Sequence, residues 1–157
     1  MLFERLADGG FAPPQAYRES ALVTFATHDL PTYAGWRAEH DLAVKHALGL
    51  DPGESSDERR AAFAALDRAL NERGLAAPSF ASVARYLADA PTRLLVVSLE
   101  DLLGVVEQVN LPGTVDQHPN WRRRLPVTLE ELPRHDGVRA VSEAMRAAGR
   151  NFGTASS

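Results

Sequence analysis

ALVTFATHDLPTYAGW, residues 21–36, decides how the rest of the chain is read. Residues 21–27 form an apolar, β-branched-rich run without clean alternation, the pattern of a strand covered on both faces in a parallel sheet. The run stops at His28-Asp29, two ionisable side chains set where the strand gives way to a turn at Pro31. In α/β barrels, the C-terminal ends of strands are where side chains meet substrate, so the position of the pair matters more than its composition. The same local pattern allows Asp29 or Thr32 to cap the following helix, leaving His28 as a satisfied loop residue.

A second run of the same kind, LLVVSL at 94–99, is the only other convincing strand. Helical patterns lie between the two. The clearest starts at Ser55, with Glu58 three residues on as a capping box and Phe63, Leu66 and Leu70 on one face; Gly74 is placed to end it. Another follows Ser79, with Phe80, Val83, Ala84 and Leu87 at helical spacing, and stops before Pro91. Residues 30–48 read as helical with a blurred start at Pro31 and a weak point at Gly35, and the loop Asp51-Pro52-Gly53 closes them. Thr128 and Glu131 repeat the capping-box spacing, Pro133 interrupts, and Val138, Val141 and Met145 mark a last helix before the polar tail 153–157, which is expected to fray. Strand, helices, strand is a βαβ-like unit with a long helical crossover, and such a parallel pair needs more strands to cover its edges.

Composition narrows the chemistry. At 157 residues with 45% hydrophobic and 24% charged side chains, the chain has the size and make-up of one globular domain. A formal charge of -4 gives no field for nucleic acid, and Arg122-Arg123-Arg124 beside Trp121 reads as a solvated or ion-paired face. The absence of cysteine removes disulfides, thiolate metal sites and a cysteine nucleophile. With charges at Glu4, Arg5 and Asp8 and no long apolar run, the reading is a cytoplasmic protein without a membrane segment. The histidines at 28, 40, 46, 118 and 135 include no pair at zincin spacing, so no metal and no cofactor are expected. There is no G-x-S-x-G elbow and no phosphate-cradling glycine loop. Tyr33, Trp36 and Trp121 could stack on the apolar face of a sugar, although core packing is the expected fate of Trp36 and Trp121.

ATHDLPTYAGWRAEHDL (26–42) and VEQVNLPGTVDQHPNWRRRLPVTLEEL (106–132), in that order, closely resemble the C-terminal portion of the amylomaltases, the 4-α-glucanotransferases of glycoside hydrolase family 77. The opening MLFERLADGGFAPPQAY (1–17) resembles the family's segment before its T-H-D motif, so the likeness runs over nearly the whole chain. Related α-amylase-type barrels carry a similar His-Asp, usually after asparagine; Thr27 and the Asn110-Leu111-Pro112-Gly113-Thr114 motif favour the amylomaltases.

The resemblance implies an α/β fold, the C-terminal part of a (β/α)8 TIM barrel, helix-rich and incomplete, with 21–29 as the seventh strand and 93–104 as the eighth. It implies that Asp29 is the third catalytic carboxylate and that His28 is its neighbouring sugar-hydroxyl ligand. Asn110, Pro112 and Gly113 match the loop that lines the sugar cleft. The substrate class implied is maltodextrin or another 1,4-α-glucan, and the reaction is a retaining transfer to an acceptor 4-hydroxyl.

The family's nucleophile and acid/base motifs both precede T-H-D, and neither occurs in the 26 residues before Thr27. Glu100-Asp101 imitates the second motif but follows T-H-D, where the resemblance assigns it no acid/base role. Since a complete barrel takes about 250 residues, residues 1–157 are expected to be a C-terminal fragment of the catalytic domain, inactive alone, whose partner is the missing N-terminal part of the same barrel. It is also expected to expose sheet surface liable to self-association. The other readings are a noncatalytic glucan-binding or interaction module and a fragment of an α-amylase-like hydrolase.

Overall fold

The computed structural model describes residues 1–150 except Phe3 and Ala77; the expected fraying of 153–157 lies outside the described residues. Two strands, β1 (Leu22–Val23) and β2 (Leu94–Leu95), pair in parallel with Leu22 opposite Leu94 and Val23 opposite Leu95. Between them run α1 (Tyr33–Arg37), α2 (His40–Ala47), α3 (Ser56–Asn71) and α4 (Phe80–Ala88). After β2 come α5 (Leu99–Leu102) and α6 (Asp136–Ala147), with 3-10 turns at Pro14–Ala16 and Leu132–Arg134.

The crossover and its parallel pair agree with the sequence reading, but both strands are shorter than the apolar runs that signalled them. Residues 98–102 leave the strand altogether: Ser98 caps α5, its hydroxyl accepting from the Asp101 amide. The expected eighth strand over 93–104 therefore ends before Ser98. Pairing continues beyond the two named residues through Val96 N–H to the Val23 carbonyl at 3.0 Å.

The sheet is covered on one face only among the described residues, which corrects the two-sided burial expected from the apolar runs. Val23 and Phe25 point into the core, where Phe25 meets Tyr33, Trp36 and Phe80 edge-on with ring centroids 5.4, 6.0 and 6.1 Å away. Leu66 and Leu70 of α3 and Val83 and Leu87 of α4 complete that core. Leu22, Leu94 and Val96, on the opposite face, are 55%, 60% and 50% exposed. The period-2 alternation of a strand sends neighbours to opposite faces, so helices packed on one side leave every second apolar residue in solvent.

The cap signals hold in detail. Ser55 and Glu58 form the reciprocal capping box at the start of α3, and Gly74 takes a left-handed φ of 68° just past its end, where the Leu75 amide returns to the Leu70 carbonyl at 3.0 Å. Thr128 and Glu131 also pair, the Thr128 amide reaching Glu131 Oε2 at 2.7 Å, but they open a 3-10 turn, and α6 begins only after His135, whose Nδ1 accepts from the Gly137 amide at 3.2 Å. The helix expected over 30–48 is two helices, broken at Glu39, which has a left-handed φ of 53°. Buried Arg59 of α3 fixes that break: Nη1 donates to the Trp36 carbonyl at 2.9 Å, and Nη1 and Nη2 grip Asp41 Oδ1 and Oδ2 at 2.9 and 2.8 Å. Arg150 ties the chain beyond α6 to α4, donating to the Ala88, Ala90 and Thr92 carbonyls at 2.8, 2.7 and 2.8 Å. No helix among the described residues is long and apolar enough to cross a membrane.

Candidate active site

The turn that follows β1 is built by Thr32. Its hydroxyl accepts from the Gly35 amide at 3.0 Å as the N-cap of α1 and donates to the Val105 carbonyl at 2.6 Å. Gly35 has no alternative there, since a Cβ would collide with the Val106 carbonyl. A third tie comes from Asp101, which is buried and accepts from the Tyr33 amide at 2.6 Å. Burial pushes its carboxyl above the usual aspartate range, against the opposing pull of the Tyr33 and Ser98 hydrogen bonds. Because Thr32 does the capping, the side chain of Asp29 is left free to face outward.

Asp29 is half-exposed, and its Oδ1 accepts from Asn110 Nδ2 at 2.6 Å, with His28 Nε2 3.5 Å from the same oxygen. Gln108 braces both segments, its Nε2 donating to the backbone carbonyls of Asp29 at 2.9 Å and Asn110 at 2.7 Å. Two sequence motifs some eighty residues apart thus converge on one carboxylate. The loop holding Asn110 is clamped internally by Asn120, whose Oδ1 accepts from the Leu111 amide at 2.8 Å and whose Nδ2 donates to Thr114 Oγ1 at 2.9 Å. Buried His118 adds a bond between Nε2 and the Gln108 carbonyl at 2.9 Å. Pro112 and Gly113 form the exposed tip of this loop, beyond buried Leu111.

A cavity of about 370 Å³ opens beside the pair, between the uncovered sheet face and the two loops. Its wall includes Thr24, Thr27, His28, Ser98, Val109 and Trp121. Asp29 and Asn110 lie next to this wall rather than in it, and Pro112 and Gly113 are not part of it. Trp121 departs from the core packing expected of it: it is 63% exposed, and its indole lies against the His28 imidazole with centroids 4.9 Å apart. Trp36 is buried as expected. The neighbouring arginines face acids across the surface, Arg122 to Asp116 at 3.5 Å and Arg123 to Glu107 at 3.9 Å, the ion-paired face that the sequence indicated. Gln108 and Asp101 were not singled out from the sequence as site-building residues, because each joins the site through a partner more than sixty residues away.

The family model described as 4-alpha-glucanotransferase matches residues 1–129. The chain belongs to the 4-alpha-glucanotransferase family. It is 35% identical to the 4-alpha-glucanotransferase of Mycobacterium tuberculosis (strain ATCC 25618 / H37Rv), over 93% of this chain and 23% of that protein. The 4-alpha-glucanotransferase of Haemophilus influenzae is 29% identical over 80% of this chain and 20% of its own length. Among solved structures, amylomaltase from Corynebacterium glutamicum superposes with a TM-score of 0.72 at 27% identity, over 91% of this chain and 24% of that one. The chain therefore spans about a quarter of the length of the 4-alpha-glucanotransferases it matches, and its helix-rich parallel pair fits an α/β fragment of that fold.

Proposed function

We propose that this chain is the C-terminal part of the (β/α)8 barrel of an amylomaltase, with 21–29 in the seventh strand and the run from Arg93 in the eighth. In this reading it carries one third of a three-carboxylate site. Asp29 stabilises the electron-poor, oxocarbenium-like glucose at the bond being broken, because a fixed anion is worth most where positive charge develops. His28 and Asn110 hold sugar hydroxyls on either side of that carboxylate, and Pro112 and Gly113 shape the loop that delivers Asn110.

The nucleophile and the acid/base would come from the remaining strands of the barrel. A retaining transfer then breaks the glucosidic bond as the nucleophile bonds to the anomeric carbon and the acid gives its proton to the leaving oxygen. The same group, now a base, takes the proton of an acceptor 4-hydroxyl as that oxygen displaces the nucleophile. Maltodextrin or a similar 1,4-α-glucan is both donor and acceptor. A domain boundary within the 157 residues is not needed, and the chain alone is expected to transfer nothing.

The observation that carries this reading is the 2.6 Å bond between Asn110 Nδ2 and Asp29 Oδ1, a contact between residues of the two motifs that supports their sharing one site. In the full-length enzyme, Asp29→Asn should lower glucose release from maltotriose roughly 100-fold or more, the scale of losing one transition-state contact. Unchanged turnover would remove Asp29 from the mechanism.

A further inference from the structure

Trp121 is the one large aromatic side chain among the described residues that the fold holds out in solvent at the cavity mouth. Its backbone is left-handed, with φ at 59°. That conformation is a true outlier for a bulky residue, so it persists only where surrounding bonds enforce it. They do so here: the Trp121 amide donates to the Val109 carbonyl at 3.1 Å, and the Arg122 amide closes a turn onto the Pro119 carbonyl at 3.2 Å. The preceding residue, Asn120, is the clamp of the Asn110 loop. One bonded unit therefore sets Asn110 against Asp29 and the indole against His28.

The surroundings have the mixed character that a sugar ring needs. Thr24, Thr27, Ser98 and Glu100 give the cavity wall hydroxyl and carboxyl groups, while the indole offers a flat apolar surface. A pyranose is built the same way, with polar hydroxyls around its rim and C–H groups on its faces. The His28 ring touches both the indole and the Asp29 carboxylate, so a ring lying on Trp121 is a neighbour of the ring at Asp29.

We infer that the exposed face of Trp121 is a stacking platform for a glucosyl unit adjacent to the one at Asp29. This rests on the proposed function above and names a binding contact for that same site. Trp36 is buried, so of the two tryptophans only Trp121 is open to a quencher. Titrating this chain with maltoheptaose should reduce acrylamide quenching of its fluorescence toward the level of the buried indole. Trp121→Phe should retain the saccharide, and Trp121→Ala should weaken it roughly tenfold in calorimetry, the scale of one aromatic contact. Emission of the buried Trp36 in the Ala variant checks that the fold is kept. Unchanged quenching, unchanged affinity in Trp121→Ala, or no uptake of maltoheptaose by the chain would each overturn the platform. The two readings fail separately: loss of the platform leaves the Asp29 assay untouched, whereas full transfer activity in Asp29→Asn overturns the reading beneath it.

Discussion

Asp101, a buried residue at the edge of the cavity, shows how much of the site depends on hydrogen bonds made behind its exposed groups. Its carboxylate receives the Tyr33 amide at the start of α1 and so fixes the turn bearing Asp29. Burial holds its proton more tightly in the folded chain than in the unfolded one. The stability tied to that protonation is therefore complete below the unfolded pKa and is lost as pH rises through the folded value. In Asp101→Asn, urea midpoints measured from acid to neutral pH should lack this fall, so the variant gains on the parent as pH rises; parallel curves would contradict it. Asp101→Ala should cost about 1–3 kcal/mol at acid pH by leaving the Tyr33 amide unpaired, a cost that shrinks as pH rises because this variant too lacks the carboxyl. Residue-scale chemistry was unevenly legible. Asp29 and His28 stood out by their place at a strand end, and Asn110 by its motif. The exposure of Trp121 was not readable, because a left-handed backbone at a tryptophan contradicts local preference and follows from bonds made by Asn120 and Val109.

At the scale of elements, signals confined to a few consecutive residues were reliable. The Ser55–Glu58 box and Gly74 mark α3 because cap chemistry is local. The break at Glu39 was hidden because what stabilises it arrives from α3: Arg59 bonds the Trp36 carbonyl near the end of α1 and the first acid of α2 at once. Arg59 also donates from Nε to Glu54 Oε1 at 2.8 Å, joining the loop before α3 to the same knot. Arg59→Met strands the buried Asp41 carboxylate and should cost about 3–5 kcal/mol in urea unfolding. Replacing Asp41 by Leu in the same chain should recover most of that loss, since an apolar pair of similar volume carries no uncompensated charge. A double variant as weak as the single one would show that the pair is not the source of the loss. The strands were over-read for a related reason: an apolar run reports burial somewhere, and cannot report that helices would take only one side.

For the whole molecule, the uncovered sheet face is the dominant fact. Leu22, Leu94 and Val96 form an exposed apolar patch on the uncovered sheet face, an arrangement that recruits other chains. Sedimentation of this chain should show concentration-dependent association, and Leu94→Lys with Val96→Thr should shift it toward monomer without lowering the unfolding midpoint. A compact monomer of the parent chain would refute this. The class of fold was legible at this scale because a strand, a helical crossover and a second strand dictate parallel pairing. The open face was foreseen through the resemblance rather than from the pattern of the runs themselves. The parallel register has a further consequence for the order of assembly. Leu22 and Leu94 meet across more than seventy intervening residues, so their ladder can close only after α3 and α4 have shortened the tether. The sheet is thus expected to form after α3 and α4, and with it the groups around Asp29.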